Sequence, residues 1–199
     1  TEAGNDTTAT GSSADPFRSI QAGINFSSNT DSVTVAAGTY VENINFRGRN
    51  IKVVGANRET TIIDGNQNGS VIQIVDSDSA YIAGFTIQNG TGTSDTEFEP
   101  NVGGGGVFSY HSGLQIEDVI IQNCDEPYMY GGGIMFLPNN ENKTLTLRNS
   151  TIQSCSSVGA GGAIIVSNGI IEDVIIQNCT SQFQAGAMYG GNNVIRNSV

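Results

Sequence analysis

Tryptophan is absent from this 199-residue chain, proline occurs four times and histidine once, and no apolar run approaches the ~20 residues that a membrane-spanning helix needs. Insertion into a bilayer by a helix is therefore not expected. Positive charge is scarce as well. Eight Lys and Arg stand against 19 Asp and Glu, a formal net charge of -11. A surface of that sign repels polyanions unless a local basic patch offsets it, and none occurs, so nucleic acid is not an expected partner. The three cysteines have no histidine partners at metal-ligand spacing, and no cofactor is expected beyond Ca²⁺. The chain opens on Thr1 rather than Met, which reads as a processed or trimmed N-terminus.

Glycine is plentiful, at 26 residues, and asparagine is abundant, a balance that suits short strands joined by tight turns. Self-similarity supplies the architecture. The tetrapeptide Ile-Gln-Asn-Gly at 87–90 recurs as Ile-Gln-Asn-Cys at 121–124, Ile-Gln-Ser-Cys at 152–155 and Ile-Gln-Asn-Cys at 176–179, at intervals of 34, 31 and 24 residues. A second motif alternates with it: Gly105-Gly106-Val107, Gly132-Gly133-Ile134, Gly162-Ala163-Ile164 and Gly186-Ala187-Met188. The β-branched runs between the motifs are too short for helices. Fixed motif order with variable spacing predicts an all-β fold, a parallel β-helix solenoid of about six to seven coils in which loop length varies outward. The statistical preference of parallel crossovers makes the coil right-handed.

The expected organisation is a polar tail over 1–14, a cap over 15–30 and the solenoid over 31–199 with its C-terminal end uncapped. Asp15 and Pro16 offer an N-cap and first helical residue, and Phe17, Ile20 and Ile24 follow at helical spacing, so a short capping helix is predicted there.

Aligned repeats place like residues in columns. Glu117, Arg148, Glu172 and Arg196 alternate acid and base, which would fix which coil sits on which. Asp118, Asn149, Asp173 and Asn197 run beside them. Asn89, Asn123, Ser154 and Asn178 form an amide column able to bond along the stack at a bent corner. Cys124, Cys155 and Cys179 share one phase and read as small buried hydrophobes, although one pair could oxidise outside the cell.

The Gly-Gly-x strands, each followed by a short apolar run and an Ile-Gln-Asn-like element, resemble the polymorphic outer membrane protein repeats of bacterial surface β-helices over roughly residues 80–199. The leading segment, from Asp15 through the Thr61–Gly65 strand, is similar to the opening of pectin-lyase-like β-helix proteins, pectinesterases among them. The resemblance implies the scaffold and a secreted or cell-surface setting; chemistry must come from the site.

On the Gly-Gly-x strands no carboxylate pair and no Lys or Arg occur, so a non-catalytic structural or adhesive protein is expected, an enzyme being the less favoured reading. Self-association through the C-terminal end or the N-terminal tail would build a fibre. The alternative is a carbohydrate-binding or polysaccharide-degrading module. For that reading, Phe108, Tyr110, Tyr128, Tyr130, Phe136 and Tyr189 are candidates for a sugar-stacking strip, with core packing the competing role. Asp76 and Asp78, or Glu97 and Glu99, are weak Ca²⁺ candidates. His111 has no matching nucleophile. Asn5, Asn68 and Asn142 are the glycosylation candidates among seven sequons, and glycans are possible partners on the carbohydrate-binding reading.

Overall fold

The structure is a computed structural model and describes residues 4–93, 103–127 and 130–199. An N-terminal arm leads into α1 (Ile20–Phe26), and strands then wind turn upon turn. The first turn runs β1 (Ser32–Val35), β2 (Gly38–Val41) and β3 (Ile44–Asn45), and the second β4 (Lys52–Gly55), β5 (Thr61–Asp64) and β6 (Ile72–Val75). The third holds β7 (Ala80–Ala83), β8 (Thr86–Gln88) and β9 (Val107–Tyr110). Next come β10 (Leu114–Glu117), β11 (Ile120–Gln122), β12 (Asp125–Glu126) and β13 (Ile134–Leu137). The long β14 (Leu145–Gln153) then precedes β15 (Ser156–Ser157) and β16 (Ile164–Val166). A second long strand, β17 (Gly169–Gln177), is followed by β18 (Thr180–Ser181) and β19 (Met188–Tyr189), and β20 (Val194–Arg196) opens another turn.

Among the described residues every strand pairing is parallel and there is one short helix, which makes this an all-β parallel solenoid. The first wall stacks β1, β4, β7, β10, β14, β17 and β20; the second stacks β2, β5, β8, β11 and the far halves of β14 and β17. A 6-stranded sheet, β3 to β19, forms the third wall, and a 3-stranded sheet of β12, β15 and β18 fills one corner of the later turns. Among the described residues three turns carry this fourth side.

Alternation decides what enters the core. On the second wall Ile63, Ile87, Ile121 and Ile152 lie in register, and each is 0% exposed. Corners are made by residues that tolerate a left-handed backbone. Between walls one and two, Gly84, Asp118, Asn149, Asp173 and Asn197 have φ of 76, 52, 48, 56 and 48°. At the next corner Asn89, Asn123, Ser154 and Asn178 have φ of 58, 53, 53 and 55°. Asn and Asp adopt this region more readily than other L-residues because their short polar side chains satisfy nearby backbone. The two columns are therefore backbone bends first. Only Asn89 of the amide column bonds along the stack, donating to Asp64.

The two repeat motifs face each other across the interior. A methyl group on Gly106 would sit 2.7 Å from Ile121 Cγ2 and 3.4 Å from Cys124 Sγ, and one on Gly133 would lie 2.9 Å from Ile152 Cγ2. The Gly-Gly step keeps one corner thin so that the Ile and Cys of the neighbouring corner can fill it.

The cap differs from expectation. Ser19, not Asp15, is the N-cap of α1, its hydroxyl accepting from the Ala22 N–H at 3.1 Å. Asp15 instead turns back into the arm, accepting from the Thr10 N–H at 2.9 Å. A second capping group comes from the first turn: the Glu42 carboxylate accepts the Ile20 and Gln21 N–H groups at 2.8 and 3.0 Å. These bonds satisfy donors that the helix itself leaves open and favour negative charge at its N-terminus. Ile20 and Ile24 are buried beneath the helix.

Candidate functional site

Outward-facing groups of the walls are tied mostly to the turn above or below. On the first wall the register runs Ala83, Glu117, Arg148, Glu172, Arg196. Within this column Arg148 Nε meets Glu172 Oε2 at 3.0 Å, while Glu117 Oε2 accepts from the Tyr81 hydroxyl at 3.0 Å. Partial burial, and then the bond to Glu117, push the Tyr81 phenol above its ordinary pKa. Arg58 reaches further, from the second turn to Asp118 Oδ1 at 3.4 Å and to the Asn149 carbonyl at 3.0 Å.

The second wall holds an array that the sequence reading missed. Gln177 donates to Gln153 at 2.8 Å, Gln153 to Gln122 at 2.8 Å, Gln122 to Gln88 at 3.0 Å, and Gln88 to Asp64 Oδ2 at 2.9 Å. All amides point the same way, and the carboxylate terminates the chain by accepting from Gln88 and from Asn89 at 2.8 Å. Burial alone would raise the Asp64 pKa, but the bonds from Gln88, the Asn66 N–H and Asn89 hold it below the ordinary value. The signal was available: the Gln of every Ile-Gln-Asn motif occupies one phase, directly beside the Asn that drew attention.

The aromatic candidates do not form one open strip. Phe136 is 0% exposed and lies in register with Ser109 and Val166 on the inner face, so it packs the core. Phe108 is on the outer face of the third wall yet buried, in a second apolar cluster with Met135, Ala160 and Ile165. Tyr110 and Tyr130 are half-buried against that cluster, and only Tyr189, in the last strand pair of this wall, is well exposed. Tyr128 lies outside the described residues. The outer face of this wall is apolar enough to be covered, which the period-2 pattern alone did not reveal because both faces of β9 and β13 are hydrophobic.

Among the acids, Asp78 pairs with Lys143 Nζ, and Asp76 lies 3.6 Å from His111 Nδ1, whose ring stacks on Tyr110 with centroids 3.7 Å apart. Each Ca²⁺ candidate that can be placed thus has a cationic or cation-forming neighbour; Glu97 and Glu99 lie outside the described residues. No group of three or more His, Cys, Asp or Glu is placed to hold a metal ion among the described residues.

Cys124 and Cys155 are buried and Cys179 is half-buried, all as free thiols. Their Sγ atoms donate to the carbonyls of Gln122, Gln153 and Gln177 at 3.3, 3.4 and 3.4 Å, so the column repeats one environment. Contact between neighbouring thiols, and then burial, push the Cys155 and Cys179 thiols well above their ordinary range. The sequon residues Asn5, Asn68 and Asn142 are all exposed.

The winding places the chain in the class of parallel β-helix proteins. No protein-family model matches the sequence, and no curated protein is similar to it. Among solved structures, a crystal structure of pectin methylesterase in complex with a hexasaccharide is similar at 11% sequence identity with a TM-score of 0.43, over 87% of this chain and 66% of that one. This chain thus spans just under two thirds of that protein's length. No helix among the described residues is long and apolar enough to cross a membrane.

Proposed function

We propose that the chain is a non-catalytic structural or adhesive β-helix of the cell surface or extracellular space. One observation carries this reading: the ionisable and amide side chains of the walls connect turns. The Gln ladder ends on Asp64, Tyr81 bonds Glu117, Arg148 pairs with Glu172, and Arg58 bridges the second turn to the fourth and fifth. Groups spent on register make the coil a rigid rod with fixed faces, suited to presenting surfaces.

Self-association follows from the same logic. The layer of β18, β19 and β20 leaves Val194 and Ile195 at 46 and 52% exposure, and an apolar strand layer, from this polypeptide or a second molecule, would bury them. The reading is tested by imaging and sedimentation of the purified protein together with product analysis on acidic and neutral polysaccharides. Rods or higher assemblies with no sugar released support it. Turnover of any polysaccharide in a reaction abolished by a single wall substitution would replace it with the enzyme reading.

A further inference from the structure

Exposed aromatic rings occur at both ends of the described solenoid: Phe183 and Tyr189 in the last repeats, and Phe26 at the cap. Phe26, the last residue of α1, is 68% exposed, and its ring stands 5.3 Å from that of Phe17 at an interplanar angle of 53°. The pair lines an open cleft of about 690 Å³ between the N-terminal arm, α1 and the first turn. Apolar surface comes from Phe17, Phe26 and Val33. Hydroxyls come from Ser12, Ser32 and Thr34, all exposed.

One rim of this cleft is a free strand edge. β1 ends its sheet, with β4 as its neighbour on one side. The carbonyls of Asp31 and Val35 accept from Lys52 and Ala56, so odd-numbered carbonyls of this strand face β4. Those of Ser32 and Thr34 therefore face away, and their N–H groups with them, because a parallel strand alternates its bonding sides. The cleft combines an aromatic platform with hydroxyls and open backbone donors and acceptors. That combination is the mostly apolar lining with a few directed polar groups that small-molecule sites share.

We propose that this cap cleft binds a neutral oligosaccharide of about two to three sugar rings, a size its volume accommodates. The apolar face of a pyranose would lie on Phe26, and its hydroxyls would bond the Ser32–Thr34 edge. A neutral ligand fits because the lining carries one charge of each sign, Arg18 and Asp31, and the chain's net charge of -11 opposes polyanionic glycans. The site is independent of whether the rod forms fibres.

The experiment is calorimetric titration of the intact protein with maltotriose, cellotriose and triacetylchitotriose, with trigalacturonate as the charged comparison. At least one neutral trisaccharide binds, and Phe26→Ala weakens it about tenfold or more, the factor that about 1.4 kcal/mol of lost ring contact produces. Phe26 is exposed, so the variant keeps the parent melting temperature. Thr34→Arg, an exposed substitution that fills the cleft mouth, abolishes binding in a second way, and Tyr189→Ala at the far end leaves it unchanged. No binding of any neutral trisaccharide at millimolar concentration, tighter binding of trigalacturonate, or full affinity in both cleft variants would overturn the proposal.

Discussion

Asp64 shows how much a single side chain can organise: it closes a ladder of four glutamines and also accepts from the Asn66 N–H and Asn89. Its folded pKa is depressed, so the stability it contributes is present above the ordinary carboxylate value of 3.8 and is lost as pH falls through the lowered folded value. Urea unfolding from pH 5 downward should therefore weaken faster in the parent protein than in Asp64→Asn, which has no carboxylate to protonate there. Replacing Asp64 by Ala removes the shared acceptor and should cost about 1–2 kcal/mol at neutral pH, read from the urea midpoint.

The thiols give a second prediction at this scale. Cys124 and Cys155 are each 1% exposed, and the Cys155 and Cys179 pKa values are raised, so little thiolate exists at neutral pH. A disulfide reagent should modify half-buried Cys179 first and slowly in the native protein, and all three once urea unfolds it. Rapid native modification of all three would show that the column is open to solvent.

Elements here are stacked by what their corners can tolerate. A methyl group on Gly132 would lie 2.2 Å from the Ser156 carbonyl oxygen and 2.4 Å from that of Gly162, both backbone atoms that cannot turn away. Gly132→Ala should cost more than about 3 kcal/mol, in the range of severe overpacking, and appear as a lower melting temperature. Much of this level was readable in advance. Gly-Gly and Ile-Gln-Asn-Cys strings at fixed phase predicted strands and corners, because corner geometry selects small or left-handed-tolerant residues at every turn. Helix α1 was placed correctly but started four residues late, since Asp15 found a nearer partner in Thr10. A local capping signal cannot register that competition.

As a whole molecule the solenoid is close to one-dimensional: each turn touches chiefly the turn above and the turn below. Residues 156–179 span one 24-residue period, and removing them joins Cys155 to Thr180, which takes the place of Ser156, its equivalent in the preceding layer. The shortened protein should keep its β spectrum and cooperative unfolding with a lower melting temperature. Loss of folded structure would mean that the turns are not interchangeable.

The sequence by itself determined the winding, because a repeated phase of apolar, glycine and asparagine residues leaves strands no other way to bury the same face at every turn. It also placed the Cys column and the charge column in register. Only the tertiary structure decided which outward residues remain open. Phe108 and Phe26 are both phenylalanines outside the coil's interior, yet one is 1% exposed and the other 68%. Neither periodicity nor composition separates them, because exposure depends on which distant segment packs over each ring, and that is settled only when the turns, the arm and the helix share one space.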